Sequence, residues 1–270
     1  MDTTITINGR DYGFDTSKPY DISLSVGFDA PGIRVFGAPP PHSIPYKSGD
    51  FIADVDAGAW CNCDVLTVIP HCHGTHTETI GHIADRPVYI TDTMPAPFIP
   101  ATVISIAPVP AMDSGEHYDP VPQGGDMMIT AAHLEDALAG FDPDFLTALV
   151  IRTLPNDESK KTRNYDDTSP PYFSREAMTY IAARHIKHLL VDMPSVDRLA
   201  DEGKLTAHHI FWSVSAGTHD IGAGSDKTIT ELVYVPDTIK DGEYILNLQV
   251  APLQSDAAPS RPLLFEVNLL

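Results

Sequence analysis

The chain has 270 residues, 43% of them hydrophobic and 20% charged, and 17 Lys and Arg against 37 Asp and Glu leave a formal net charge of −20. That is the make-up of a globular chain long enough to bury a substantial core. No basic cluster is available to displace counterions or meet anionic headgroups, so neither nucleic acid nor a membrane surface is an expected partner.

The first residues, MDTTITINGRDYGF, lack the basic start and apolar run of a secretory signal. No stretch approaches the roughly 18 uninterrupted apolar residues of a membrane span. Cys61, Cys63 and Cys72 are too few for a disulfide framework. A cytoplasmic location is the expectation. Asn8-Gly9, flanked by alternating residues, predicts a β-hairpin. Residues 29–50, rich in proline, predict a long extended surface segment. VLTVIP at 65–70 reads as a short strand, and ATVISIAPV (101–109) and ALVIRT (148–153) as buried strands. Thr130 caps a predicted helix over 131–140, and Ser174 caps another over 174–188 whose apolar residues share one face. LLVD (189–192), ITELVYV (229–235), YILNLQVA (244–251) and PLLFEV (262–267) complete a strand-rich α/β pattern without a visible linker.

Residues 71–82, HCHGTHTETIGH, hold four of the twelve histidines, one of the three cysteines, and Glu78. Imidazole, thiolate and carboxylate are the side chains that bind zinc, manganese and iron, so this is a candidate metal site. Cys72, His76 and Glu78 stand at i, i+4 and i+6. On a continuous helix the third is turned about 120° from the first, so a broken turn around Gly74 suits three ligands better. A single histidine near a strand end is commonly just a hydrogen-bonded surface group. Such a concentration asks for another explanation. Cys61, Cys63 and Cys72 with one histidine make a structural zinc site the alternative, although cysteines spaced i, i+2 are more often small core residues. H-E-x-x-H and G-x-S-x-G are both absent, and GAGSDK at 222–227 does not complete a dinucleotide fingerprint.

GTHTETIGH resembles the core of the HxGTHxDxPxH motif of the cyclase family, which includes bacterial kynurenine formamidases and isatin hydrolases. Gly74, Thr75, His76 and His82 are in register. Cys72 stands where the first histidine belongs, Glu78 replaces aspartate and Ile80 replaces proline. HLLVDMPSVD (188–197), LTAHH (205–209), ITELVYVPD (229–237) and the tail from 244 resemble further segments of the family, with about ten extra residues between His208 and Glu231.

The resemblance implies a mixed, strand-rich α/β domain of the swivelling β/β/α type over residues 1–270, with an extended N-terminal segment to about residue 50. It implies a metal-dependent hydrolase opening an aryl formamide or a cyclic amide, using one or two divalent ions, zinc or manganese. By the same resemblance Cys72, His76 and Glu78 hold the first ion, His208 and Glu231 a second, and His82 is the acid–base group, imidazole being the side chain that exchanges protons near neutral pH. The partners expected are a small-molecule substrate and further copies of the chain, as a homodimer or homotetramer. The alternative is a metal-free relative with a binding or structural role. Asp192 and Asp197 read as organisers of the Met-Pro-Ser turn, Asp256 and Arg261 as a structural pair, and Phe36, Trp60 and Trp212 as candidates for an aromatic substrate wall.

Overall fold

The computed structural model describes residues 2–28, 32–93, 96–184 and 186–270. The hairpin predicted at Asn8-Gly9 is present: β1 (Asp2–Ile7) pairs antiparallel with β2 (Arg10–Asp15). Asn8 and Gly9 have φ of 46° and 79°, the two left-handed residues that a tight hairpin turn of matching twist requires. Of the proline-rich segment, residues 29–31 lie outside the described residues. Farther on, β3 (His42–Pro45) pairs antiparallel with β4 (Asp64–Thr67) as a separate two-stranded ribbon. The strand read in VLTVIP forms in this ribbon and ends at Thr67. Every residue of β4 is exposed, because it has one strand neighbour and no layer beneath it.

A single helical turn, α1 (Pro70–His73), starts at Pro70, whose missing N–H costs nothing at that position. It runs through Gly74 into β5 (His76–Thr79). Four strands, β6 (Ile99–Ile106), β7 (Ala148–Thr153), β8 (His188–Val191) and β9 (Thr228–Glu231), lie parallel in that order. The long β10 (Gly242–Val250) and β11 (Ala257–Leu269) pair antiparallel with each other, and β10 joins the edge of β6. β5 pairs antiparallel with both β9 and β11, so the order β11-β10-β6-β7-β8-β9-β5 returns to β11 as a closed barrel. Closure removes the exposed edges an open sheet would present.

The two faces of the barrel strands bury different things. Ala101, Val103, Val150, Leu190, Leu246 and Leu264 pack together with no helix residue among them, and fill the inside. Their neighbours Ile104, Leu149, Leu189 and Ile229 pack outward against α2 (Ala131–Leu138), α3 (Arg175–Ala182) and α4 (Thr206–Phe211). The predicted caps are made: Thr130 accepts from the His133 N–H and Ser174 from the Ala177 N–H. α3 ends at Ala182 rather than 188, because Lys187 and His188 donate their N–H groups to Thr147 O and His188 already opens β8; His185 lies outside the described residues.

The strand read over 229–235 stops at Glu231. Leu232 has φ of 57°, a conformation costly for a branched side chain. Its N–H donates to Met193 O at 3.0 Å and its carbonyl accepts the Thr75 hydroxyl, which together hold the turn. The fold is the mixed, strand-rich α/β domain expected.

Candidate metal centre

In β5 alternate residues share a face, so His76 and Glu78 point the same way. Antiparallel register puts Glu231 opposite His76 and Ile229 opposite Glu78. Ile229 belongs to the cluster beneath α2, α3 and α4, so this is the helix-covered face, and α4 lays His208 over it. His76 Nε2 comes 3.4 Å from Glu231 Oε2. His208 Nε2 lies 3.0 Å from Glu78 Oε1 and 3.9 Å from Glu231 Oε1. All four side chains are at most 5% exposed.

Two groups behind them fix the geometry. Asp197 Oδ2 is 2.5 Å from His208 Nδ1, while its Oδ1 accepts the Tyr118 hydroxyl at 2.7 Å and the Ala207 N–H at 2.5 Å. A carboxylate on Nδ1 leaves Nε2 as the lone-pair nitrogen, the arrangement that orients a metal-binding imidazole. The Val196 N–H holds Glu231 Oε1 at 2.9 Å. Asp197 thus does more than organise its turn, a role the local sequence pattern does not signal. Asp192 is structural but does not hold its turn as read: it is buried against Lys160 Nζ at 2.8 Å and the Thr153 hydroxyl at 2.8 Å, both outside the Met-Pro-Ser segment.

The opposite side of Glu78 faces a half-open rim. Consecutive residues of α1 are turned about 100° apart, so His71 and Cys72 diverge. His71 Nε2 lies 3.4 Å from Glu78 Oε2 and 3.1 Å from Asp256 Oδ2. Cys72 points into an apolar cluster with Ile33, Val35, Tyr165 and Leu232. This corrects the ligand set expected by resemblance: none of the donor groups among the described residues includes Cys72, and His71 faces Glu78 instead. Burial pushes the Cys72 thiol up, and Asp166 and Glu231 push it further, which disfavours the thiolate a metal needs. His73, the next residue, is tied to Ile69 N and Pro39 O.

His82 enters from the short helical turn after β5. Its Nδ1 is 3.5 Å from Asp256 Oδ2 and 3.7 Å from Glu78 Oε2, and its ring stacks on His71 at 4.6 Å. Asp256 reaches this point because Ala257, the first residue of β11, pairs with Glu78, and the Asp256 carbonyl accepts the Thr79 N–H. The pairing expected between Asp256 and Arg261 is not made; Arg261 Nε binds Asp21 at 2.8 Å instead.

The electrostatics follow from mixing buried acids and bases. Burial works against the Glu78 carboxylate, but His82 and His208 outweigh it and hold it well below the usual range. Burial likewise opposes a charged His208, and Glu78 and Asp197 outweigh it. His71, also opposed by burial, is pushed up to about 10 by Asp256 and Glu78. A cation entering such a cluster takes the place of those protons.

Three overlapping donor groups have atoms within 4.8 Å of one another: His76, Glu78 and Glu231; Glu78, His82 and His208; and His71, His82 and Asp256. His71 Nε2, His76 Nε2 and Glu78 Oε2 are buried without a hydrogen-bond partner. Unpaired buried lone pairs are costly, and nitrogen and oxygen donors together suit a divalent ion such as zinc or manganese. The residues present fit a metal. The cysteine alternative does not, since Cys61 and Cys63 are exposed and Cys72 is buried elsewhere. Of the three aromatic candidates only Trp212 reaches the site, 5.4 Å from the His208 ring; Trp60 stacks on Phe51 and Phe36 is exposed. The extra segment before β9 packs beside the rim, with His219 O accepting the Asp85 N–H and Gly222 O accepting from Arg86.

Comparison with known proteins agrees with this architecture. Residues 20–198 match the model of the cyclase family, described as "Putative cyclase". Isatin hydrolase A from Labrenzia aggregata, solved bound to benzyl benzoate, is similar with a TM-score of 0.61 at 17% identity, over 92% of this chain and 93% of that one. A "predicted metal-dependent hydrolase" from Bacillus stearothermophilus gives 0.57 at 17% identity, over 92% and 98%. Isatin hydrolase A from Ralstonia solanacearum gives 0.59 at 14%, over 92% and 91%. No curated protein matches the sequence.

Proposed function

This chain belongs to the cyclase family, and on that premise we propose that it is a metal-dependent hydrolase of non-peptide C–N bonds, opening an aryl formamide or a cyclic amide. The observation that carries the reading is the convergence of unpartnered buried donors on Glu78, with His71 Nε2 on one side and His76 Nε2 on the other. We assign the ion, zinc or manganese, to His76, Glu78 and Glu231, with His208 completing the set. Bound there it would polarise a carbonyl oxygen and lower the pKa of a water toward neutrality.

The protein's own groups supply the rest. Asp197 holds His208 in one tautomer, and the Val196 N–H holds Glu231. His82, 28% exposed at the rim, is the imidazole placed to accept a proton and return it to the leaving nitrogen. With its Nδ1 facing Asp256 and Glu78, its Nε2 is free for that exchange. Trp212, buried in the core with its indole N–H on Lys227 O, packs behind the His208 ring and helps fix it.

The test pairs metal content with activity. Purified wild-type protein should carry zinc or manganese by elemental analysis and hydrolyse an aryl formamide or isatin, and His76→Ala should lose both. Full activity in His76→Ala, or no metal in the wild type even after supplementation, would falsify the reading and leave a binding or structural role.

A further inference from the structure

His82 lies in a stretch of chain that is held from outside at one place. The ends of the stretch are anchored beside β11: the Thr79 N–H donates to Asp256 O at 3.0 Å and the Ile90 N–H to Ser255 O at 2.7 Å. Between those anchors, among the described residues, every hydrogen bond from residues 80–89 to a distant part of the chain goes to the extra segment before β9. His219 Nδ1 donates to Ile83 O at 2.9 Å, the Asp85 N–H donates to His219 O at 2.9 Å, and Arg86 Nη2 donates to Gly222 O at 2.7 Å. Packing is incomplete on the same side. Ile80 and Val88 line a cavity of about 450 Å³ or less, 380 Å³ as measured, with Ile221, Ala223 and Gly224 of the extra segment opposite. The extra segment is itself braced. Ile221 is 6% exposed in one cluster with Ile80 and Ile83, Asp220 Oδ1 accepts the Gly222 N–H at 2.9 Å, and Ile221 O accepts the Gly224 N–H at 2.8 Å.

We propose that His219 is a positioning residue for proton transfer: its ring and its carbonyl clasp the chain just after His82 and set where the His82 imidazole stands. The role rests on the reading of His82 as the acid–base group. His219 bonds on both sides of Ala84, to Ile83 O and to the Asp85 N–H, and two bonds flanking one residue fix the direction of a segment as well as its distance. A carbonyl oxygen only accepts, so Nδ1 of His219 carries the ring proton. A proton-transfer group works within hydrogen-bond reach of its partner, and a displacement of about 1 Å can cost about 100-fold in rate. His82, 28% exposed and 3.5 Å from Asp256 Oδ2, has no packed shell of its own to prevent such a shift. The extra residues between His208 and Glu231 thereby gain a task in the reaction although none of them reaches the donors of the metal centre. His219 is exposed, so replacing it leaves no hole in the core.

The experiment compares the zinc-loaded full chain with His219→Ala and His219→Asn, whose side-chain amide N–H can stand in for the Nδ1 donor. Zinc content, kcat and KM for isatin, and the imidazole NMR signals of His82, assigned with His82→Gln, are measured on each, with circular dichroism to confirm folding. His219→Ala should keep its zinc and its KM, lose about 10-fold or more in kcat, and show a shifted or broadened His82 signal. His219→Asn should recover most of the kcat and the wild-type signal. An unchanged kcat with an unmoved His82 signal in folded His219→Ala overturns the proposal, as does a loss of kcat accompanied by an equal loss of zinc. A wild type that hydrolyses neither isatin nor an aryl formamide would remove the hydrolase reading instead, and the His82 signal in His219→Ala would still decide whether the clasp holds that ring.

Discussion

A difference of one residue in α1 decides which chemistry the centre can use. His71 and Cys72 are adjacent, yet one faces Glu78 and the other sits among Ile33, Val35, Tyr165 and Leu232. Cys72→Ala should therefore leave metal content unchanged and cost about 1 kcal/mol in urea unfolding, as small core truncations do. Loss of metal in that variant would return the thiol to the ligand set. Asp197→Asn tests the support behind His208. Removing the carboxylate on Nδ1 frees the ring to rotate and change tautomer, and loss of such a partner typically weakens metal affinity about 10–100-fold. Competition with a chelator measures it; unchanged affinity would mean His208 is held by packing alone. His76, Glu78 and the position of His82 were readable from the motif itself. His71 and Asp197 were not, because nothing local distinguishes a histidine that faces inward from its neighbours in HCH, or a turn aspartate from one that caps an imidazole eleven residues on.

Elements bring the donors together by register and by interrupted strands. β5 carries two donors because a strand repeats every two residues; the break expected around Gly74 is present, and beyond it the chain runs on as a strand. Gly81 is the tightest point after β5. A Cβ there would meet the Val88 carbonyl oxygen at 2.3 Å, a backbone atom that cannot move aside cheaply. Gly81→Ala should destabilise the protein by about 1–3 kcal/mol and displace His82, read out as a lower urea midpoint with slower hydrolysis of isatin. A wild-type midpoint would show that this turn adjusts freely. The turn at Leu232 shows why ITELVYV ended early. Glu231 must stop beside His76, and a backbone held by Thr75 and Met193 turns the chain away at once.

For the whole molecule, closure of the barrel buries polar groups far from the centre, and one of them sets an acid limit. His188, 5% exposed, faces Thr228 Oγ1 at 2.9 Å; burial, helped by Lys187, lowers its pKa to about 4. The unfolded chain takes up a proton near pH 6.5 that the folded chain resists until about pH 4. Stability should thus fall as pH drops through that window, by up to about 3 kcal/mol from this residue, and level off below it. Urea midpoints of wild type and His188→Gln between pH 4 and 7, in a chelator, should converge on acidification; parallel curves would remove His188 from the account. Among the described residues no helix is long and apolar enough to cross a membrane. The ribbon of β3 and β4 leaves Ile44, Val65 and Leu66 exposed, and Trp60 is 85% exposed. Such surface next to unpaired strand edges favours self-association, and we propose that it is where copies of the chain meet. Light scattering should give a mass above the 29.3 kDa of one chain; a monomer at micromolar concentration contradicts it.

What the sequence determined by itself is what depends on neighbours along the chain. Asn8-Gly9 specifies a hairpin through its backbone dihedrals, Thr130 and Ser174 cap their helices, apolar runs at 101–106 and 148–153 make buried strands, and a dense run of histidines with Glu78 marks the centre. Tertiary structure alone decided which of those side chains meet. Glu231 reaches His76 through antiparallel register, His208 arrives from a helix packed over that face, and Asp256 is carried in by the strand that closes the barrel. Those contacts join residues more than a hundred positions apart, and their geometry is set by pairing and packing, which no local pattern encodes.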